Sequence, residues 1–510
     1  MKEKEIASKL SFAYSILVKS GRTKEYYNIN NEIAEYPSHS VDTKVNLCKH
    51  FLALTELDSF KKVAATISYD FIINILIGIQ SSNKIFSIAE FSEWVIEYFP
   101  KNKVEVLVQG YSFAGHHSKN VKLLEHINDF DIFNFNTLNN LAKSSLECNC
   151  SDLSELTLEH ILKYKPNDEF SLYNLAILKE NQGLFNISKK IHYQNFDKNA
   201  SVYSFSRLLN SEKKSNLKSL IKQYETFCLD EYTNEELIDL NFSLGFAHDR
   251  LGLYKEALEK YHKANKLARK SIESLNLQYF LELQLNIPFE LKNDEKPIFI
   301  CGMHRSGSTL LEQVLSSHSR FSNGGEVTFF SEKVVKYCLL GIKEAAEVAE
   351  LYKSKFTNMN TVINKLPDNF IYIGLIKALF PNAKFIITKR NIDDNCISLY
   401  FQNMSAKYNY STCLSELKDF YISHEKVTGV WREEFPNDVC FFQYEKFIEQ
   451  PNQELAKLCN FLNINFEEEM LEFYKLKNNV RTASYNQIRS KLNRNSVNRF
   501  ENYKRYLKNY

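Results

Sequence analysis

Leucine, alanine and aromatic side chains recur at three- and four-residue intervals from residue 1 to about 290, and proline is sparse there. That period puts the apolar side chains on one face of a helix, so the region reads as wholly helical. The clearest unit spans residues 240–264. Gly245 and Ala257 are small enough for two helices to approach closely, and Gly252 falls where a turn would join them. A weaker copy begins at Leu172, with Ala176 and Gly183 in place, and a third includes Leu57 to Ala64. A polar stretch, 286–297, ends the pattern. Beyond it, short runs apolar on both faces alternate with helical segments, as in a parallel sheet covered by helices. Strands are predicted at 298–301, 321–322, 384–388 and 439–443. Helices are predicted at 309–317, 331–353, 371–380, 393–402, 413–435 and 451–462. On pattern, the chain divides into a helical repeat domain at 1–290 and an α/β domain at 291–510.

Length agrees with two domains, since 510 residues exceed the roughly 250–300 at which single cores stop growing. A net charge of +2 argues against a generic nucleic-acid coat. The longest greasy run, 71–79, is too short to cross a bilayer. The N-terminus opens with Lys, Glu and Ser rather than a secretory leader, and the ten cysteines are scattered. The expectation is a cytoplasmic protein with reduced thiols and no membrane span. Positive charge gathers only at the end: eight Lys or Arg from Arg481 onward face one acid, Glu501. The 240–264 unit, with Leu244, Gly245, Gly252, Ala257, Tyr261 and Ala264 in register, resembles a tetratricopeptide repeat. Such units stack to bury their apolar faces and leave a concave groove, suited to a peptide or protein partner. The plainer reading is a structural cap on the α/β domain.

The chemistry gathers where the pattern changes. A short strand runs into Gly302-Met-His-Arg-Ser-Gly-Ser-Thr-Leu310, and a helix follows. Strand, tight loop and helix N-terminus make an anion cradle, because first-turn N–H groups have no helical acceptors. Gly302 and Gly307 are spaced as in G-x-x-x-x-G-K-[ST], but Ser308 stands where the triphosphate-binding lysine would be. Arg305, Ser306, Ser308 and Thr309 make a phosphate site without triphosphate machinery. Glu326 follows Gly324 and Gly325 at the end of a short extended segment. If that segment neighbours the first strand, Glu326 faces the Arg305 loop as a general-base candidate. A strand ending at Lys389 and Arg390, before a helix with Ser398, repeats the geometry; an Arg fork with a hydroxyl suits a phosphate monoester. Asp393 and Asp394 read as helix capping. Lys365 is a third cation, before a proline-fixed turn. His304 reads as a positioning group, His318 as a helix cap, and Glu312 as a bystander on the neighbouring helix.

Taken together, Gly302–Leu310, Gly325-Glu326, Asn364-Lys-Leu-Pro367, Lys389-Arg390 with Ser398, Tyr444-Glu445 and Arg481-Thr-Ala-Ser484 resemble the sulfotransferases. The likeness is to the branch that joins tetratricopeptide repeats to a catalytic half similar to tyrosylprotein sulfotransferase, and it covers 296 to about 505. It implies a P-loop-like domain that uses 3′-phosphoadenosine 5′-phosphosulfate (PAPS), releases the bisphosphate PAP and requires no metal. In that family Arg305, Ser306, Gly307, Ser308 and Thr309 would hold the 5′-phosphosulfate, and Arg390 and Ser398 the 3′-phosphate. Tyr444 and Arg499 stand as further nucleotide contacts. Glu326 takes the place of the base, Lys365 of a lysine that steadies the transferring group, and Ser484 of a serine touching its oxygens. Arg390-Asn-Ile and Tyr444-Glu-Lys depart from the family's patterns, which bears on local turns more than on anion contacts.

The implied acceptor is a hydroxyl, on a protein or peptide tyrosine or on a glycan, lipid or small alcohol; a homodimer is compatible with the resemblance, and no nucleic-acid partner is expected. Two rival readings remain. A P-loop-type kinase is disfavoured by Ser308 at the lysine position. A nucleotide-binding repeat scaffold without turnover is disfavoured by Glu326 and Lys365.

Overall fold

The computed structural model describes residues 44–45, 48–49, 51–52, 57–78, 89–127, 130–148, 150–270, 276–330, 341–356, 361–404, 406–476 and 491–507. The chain forms two compact units, Met1–Leu208 and Leu209–Tyr510. The first is helical throughout its described elements. Its best-formed hairpins are Phe135–Glu147 with Ser151–Tyr164, and Glu169–Asn181 with Phe185–Asn199. Side-chain caps start two of these helices: Asn134 accepts from the Thr137 N–H and Asp168 from that of Ser171, satisfying backbone groups that have no helical partner. Leu172 and Ala176 of the weaker repeat copy are buried, and Gly183 lies in the turn. Among the described residues no helix is long and apolar enough to cross a membrane.

The second unit begins with helices and then forms a sheet flanked by further helices. Asn234–Leu251 and Tyr254–Ala268 form a hairpin that a Thr233–Glu236 capping box starts. Gly252, left-handed, ends the first helix. A Cβ on Gly245 would come within 2.6 Å of the Tyr261 ring, so the helices pack as closely as the small residues suggest.

Five parallel strands follow: β1 Ile298–Gly302, β2 Ser322–Asn323, β3 Val362–Lys365, β4 Lys384–Lys389 and β5 Val439–Gln443, in the order β2-β3-β1-β4-β5. Both faces are buried. Phe299, Cys301, Phe385 and Ile387 point into one core with the 277–285, 373–379 and 414–434 helices. Ile298, Ile300, Ile363 and Ile386 point into the other, with the 308–316 and 451–462 helices. This alternation explains why β1 and the central residues of β4 and β5 read as continuous apolar runs.

Three expectations change. β3 reads in sequence only as the approach to a turn, because Asn364 and Lys365 break its apolar run; the strand carries them because Asn364 donates to the Tyr352 hydroxyl at 2.6 Å and Lys365 finds carboxylates. The segment before Glu326 pairs with β3, not with β1. The helix expected at 371–380 is preceded by a 3₁₀ turn, Pro367–Tyr372, with the proline in its first turn, and becomes α-helical only at Ile373–Leu379. Of the helix expected at 331–353, Ile342–Lys353 is helical with Gly341 at its N-cap, and 331–340 lie outside the described residues.

Candidate active site

The chain leaves β3 for β4 by crossing past β1, so β1 sits at the point where strand order reverses. Ligand crevices in such sheets open there, beyond the C-terminal strand ends. The loop from Gly302 to Gly307 occupies that place. Gly307 holds φ 98°, and a Cβ on it would come within 2.7 Å of the Tyr444 ring, so only glycine fits. It is also the N-cap of the Ser308–Ser316 helix, and no side chain caps that N-terminus. Ser308 and Thr309 therefore present first-turn N–H groups to the crevice. The Ser306 hydroxyl is turned inward, 2.5 Å from both the Met303 carbonyl and the Thr388 hydroxyl, and ties the loop to β4.

Arg305 takes a left-handed backbone, φ 64°, which is unusual for a residue with a side chain. Its carbonyl accepts from Arg390 Nη1 at 2.9 Å, and its Nε donates to the Ser398 hydroxyl at 3.3 Å. The expected 5′- and 3′-anion groups are thus one connected cluster. Burial pushes the Arg305 guanidinium down to about 10, and the charges of Arg390 and Arg499 push the same way, so it stays charged at neutral pH. Arg390 is buried, its Nη2 donates to Ser496 O at 2.5 Å, and its guanidinium lies 5.3 Å from the Tyr444 ring. Its Nε has no hydrogen-bond partner among the described residues. A buried donor left unspent among three mutually repelling guanidiniums suits an anion.

Arg499 is committed elsewhere as well. It pairs with Asp249 at 2.8 Å; burial works against its charge, and Asp249 together with Tyr261 and Tyr503 more than offsets that. Asp393 and Asp394 do not cap their helix. Asn391 does, accepting from both of their N–H groups, because it stands at the N-cap position while the two aspartates lie inside the first turn. Asp394 instead accepts from the N–H groups of Asn498 and Phe500 at 2.6 and 2.8 Å, fastening the C-terminal segment beside Arg390. His318 joins its helix end to the Asn465 carbonyl.

On the other side of the loop lies an acid–lysine group. Glu326 reaches it although β3 intervenes, because the Gly324–Gly325 bend runs alongside β3: Lys365 N donates to Gly325 O at 3.0 Å. The Lys365 ammonium, 1% exposed, pairs with Glu326, whose side chain is 44% exposed. Glu312 also faces it, with Oε2 at 3.8 Å, and so is no bystander. Nearby, Asp368 accepts from Lys407 at 2.5 Å and the Tyr408 hydroxyl at 2.9 Å, and shares a hydrogen bond with His304 at 3.2 Å. Burial raises the Asp368 carboxyl most, yet His304 and Lys407 together bring it to about 2.

Sequence reasoning misread Glu312 as a bystander and passed over Asp368 and Asp249. Glu312 left one signal: an acid next to the apolar Leu311 and about one turn before the apolar Leu315 of the same helix. Ser484 lies outside the described residues.

Residues 297–339 and 339–468 match the sulfotransferase family. This part of the chain is similar to sulfotransferase domains. A protein of Aquifex aeolicus (strain VF5) is 31% identical over 290 residues, which cover 50% of this chain and 38% of that protein. The chain thus spans well under half of that relative's length. Protein-tyrosine sulfotransferase 1 of Danio rerio is 22% identical over 44% of this chain and 69% of its own length. The sulfotransferase domain of the Synechococcus PCC 7002 olefin synthase aligns at 18% identity with a TM-score of 0.33, over 42% of this chain and 90% of that one. Among the described residues no group of three or more His, Cys, Asp or Glu could hold a metal.

Proposed function

We propose that this protein transfers a sulfuryl group from PAPS to an acceptor hydroxyl, with a tyrosine of a protein or peptide as the leading acceptor. The observation that carries the reading is the juxtaposition at three adjacent strand ends. A glycine loop and open helix N-terminus follow β1, an arginine cluster with an unspent buried donor lies at β4, and a carboxylate–lysine pair lies at β3. The similarity to the Danio rerio enzyme supports the choice of tyrosine.

In this reading Arg305, Ser306, Gly307, Ser308 and Thr309 shape the 5′-phosphosulfate site, while Arg390 and Ser398, with Tyr444 and Arg499 close by, shape the 3′-phosphate site. When bound, the nucleotide supplies a sulfuryl group on a phosphate leaving group. Glu326 accepts the proton of the acceptor hydroxyl as its oxygen attacks sulfur. Lys365 and the loop N–H groups meet the charge that gathers on the departing phosphate oxygen, and Ser484 serves the transferring oxygens. Residues 291–510 carry these groups, and the helical region 1–290 engages the acceptor or a protein partner.

The test is a PAPS-dependent transfer screen over tyrosine peptides, glycans, lipids and small alcohols, read by product mass, beside calorimetry of PAP and adenosine 5′-monophosphate. Transfer to a hydroxyl with PAP preferred is expected. No transfer and equal affinity for the two nucleotides would overturn the reading.

A further inference from the structure

Lys365 stands between two unlike carboxylates. That of Glu326 is half-exposed and paired with the ammonium. That of Glu312 is buried, 2% exposed, and its Oε1 has no hydrogen-bond partner among the described residues. Burial pushes the Glu312 carboxyl up to about 7; Lys365 pulls it down and Glu326 pushes it further up. A buried carboxylate with an unspent oxygen is expensive, and deep in an apolar helix face it calls for a purpose.

The pairing itself contains a conflict. While the ammonium holds Glu326, that carboxylate is a poor proton acceptor, and Lys365 cannot serve a developing charge beside the loop. Lys365 has to turn from Glu326 toward the loop for both residues to act. A fully buried ammonium that turns away from its only counter-charge is strongly destabilised. Glu312 removes that difficulty. It lies one turn into the helix whose N-terminus forms the cradle, and its carboxylate faces the same ammonium as the half-exposed Glu326.

We propose that Glu312 is a positioning residue that holds the Lys365 ammonium in the site when Lys365 leaves Glu326 for the transferring group. The proposal rests on the sulfotransferase reading above. The charged groups that face Glu312 are Lys365 from β3 and Glu326 from the bend after β2, and the Gly325 backbone N–H adds a hydrogen bond. The 468–475 turns packed on the same helix bring Met470 and Phe473 into the shared apolar core. A protonated Glu312 cannot anchor a cation, so the chemical step slows as pH falls through about 7.

The experiment uses the full chain and compares wild type, Glu312→Gln, Lys365→Ala and the double variant. PAP affinity is measured by calorimetry, and single-turnover rates are measured across pH with saturating PAPS and the acceptor the screen identifies. Glu312→Gln is expected to bind PAP as wild type does. Its rate should fall roughly tenfold to a hundredfold, the range seen when a group that orients a metal ligand is removed. Its rate profile should lose the ionisation near pH 7, and it should add nothing to the loss already caused by Lys365→Ala. A Glu312→Gln rate and pH profile equal to wild type overturns the proposal, as does an equal further loss in the Lys365→Ala background. If Glu312→Gln does not fold, the wild-type profile decides: no slowing as pH falls through about 7 overturns the role. A wild type that neither binds PAP nor transfers sulfate overturns the sulfotransferase reading, and this one with it.

Discussion

Arg305 stores a local cost, since left-handed backbone on a residue with a Cβ is disfavoured. The Arg390 bond to its carbonyl offsets part of it, and the result aims a guanidinium at the cradle. Arg305→Ala should weaken binding of PAPS and PAP by about 1.5–3 kcal/mol, the range for a charged hydrogen bond, as calorimetry would show. Glu326→Gln keeps the shape and removes the proton acceptor; its single-turnover rate should drop roughly 10²–10⁴-fold with nucleotide affinity nearly unchanged. Glu347, exposed on the 342–353 helix, is the proper control for that change, because Glu312 touches Lys365. Asp368 has a pH signature. Its folded pKa is depressed from 3.8 to about 2, so its stabilisation is present above the unfolded value and is lost as pH falls through that interval. Chemical denaturation of wild type and Asp368→Asn should show a stability gap at neutral pH that closes between those limits.

At the scale of elements, the site is an alignment of strand ends. Parallel register brings Ile300 beside Lys365 and Gly302 beside Thr388, which puts the cradle between an acid–lysine pair and an arginine cluster. The 392–400 helix then returns Ser398 to Arg305, while Asp394 on the same helix ties down the C-terminal segment. Arg390→Ala should narrow the difference in affinity between PAP and adenosine 5′-monophosphate, because it removes the proposed 3′-phosphate contact, whereas loss of its bond to the Arg305 carbonyl acts on both nucleotides. Gly307→Ala should weaken both nucleotides alike, since the added methyl would press on Tyr444 and distort the shared loop.

On the scale of the whole molecule, the helical hairpin at 234–268 is built into the sheet-bearing unit. Tyr261 stacks on Phe401 with centroids 3.9 Å apart, Asn265 donates to the Tyr400 carbonyl at 2.8 Å, and Asp249 holds both Arg499 and Tyr503. A fragment of residues 209–510 is therefore expected to bind PAP as the full chain does. A fragment starting at 291 lacks the hairpin, exposes Phe401 and unpairs Arg499; it should be insoluble or lose PAP affinity, as size-exclusion chromatography and calorimetry would reveal. The sequence by itself determined the helical region, four of the five strands and the glycine loop after β1, because period, glycine spacing and apolar runs are local properties of the chain. Asn364 and Lys365 hid β3, since polar residues in a buried strand make sense only once Tyr352 and two carboxylates surround them. Tertiary structure alone decided which acid faces which cation. Glu312 and Lys365 are 53 residues apart in sequence and Arg499 and Asp249 are 250 apart, and such pairs form because parallel strands and packed helices bring remote residues to one edge, which no local pattern records.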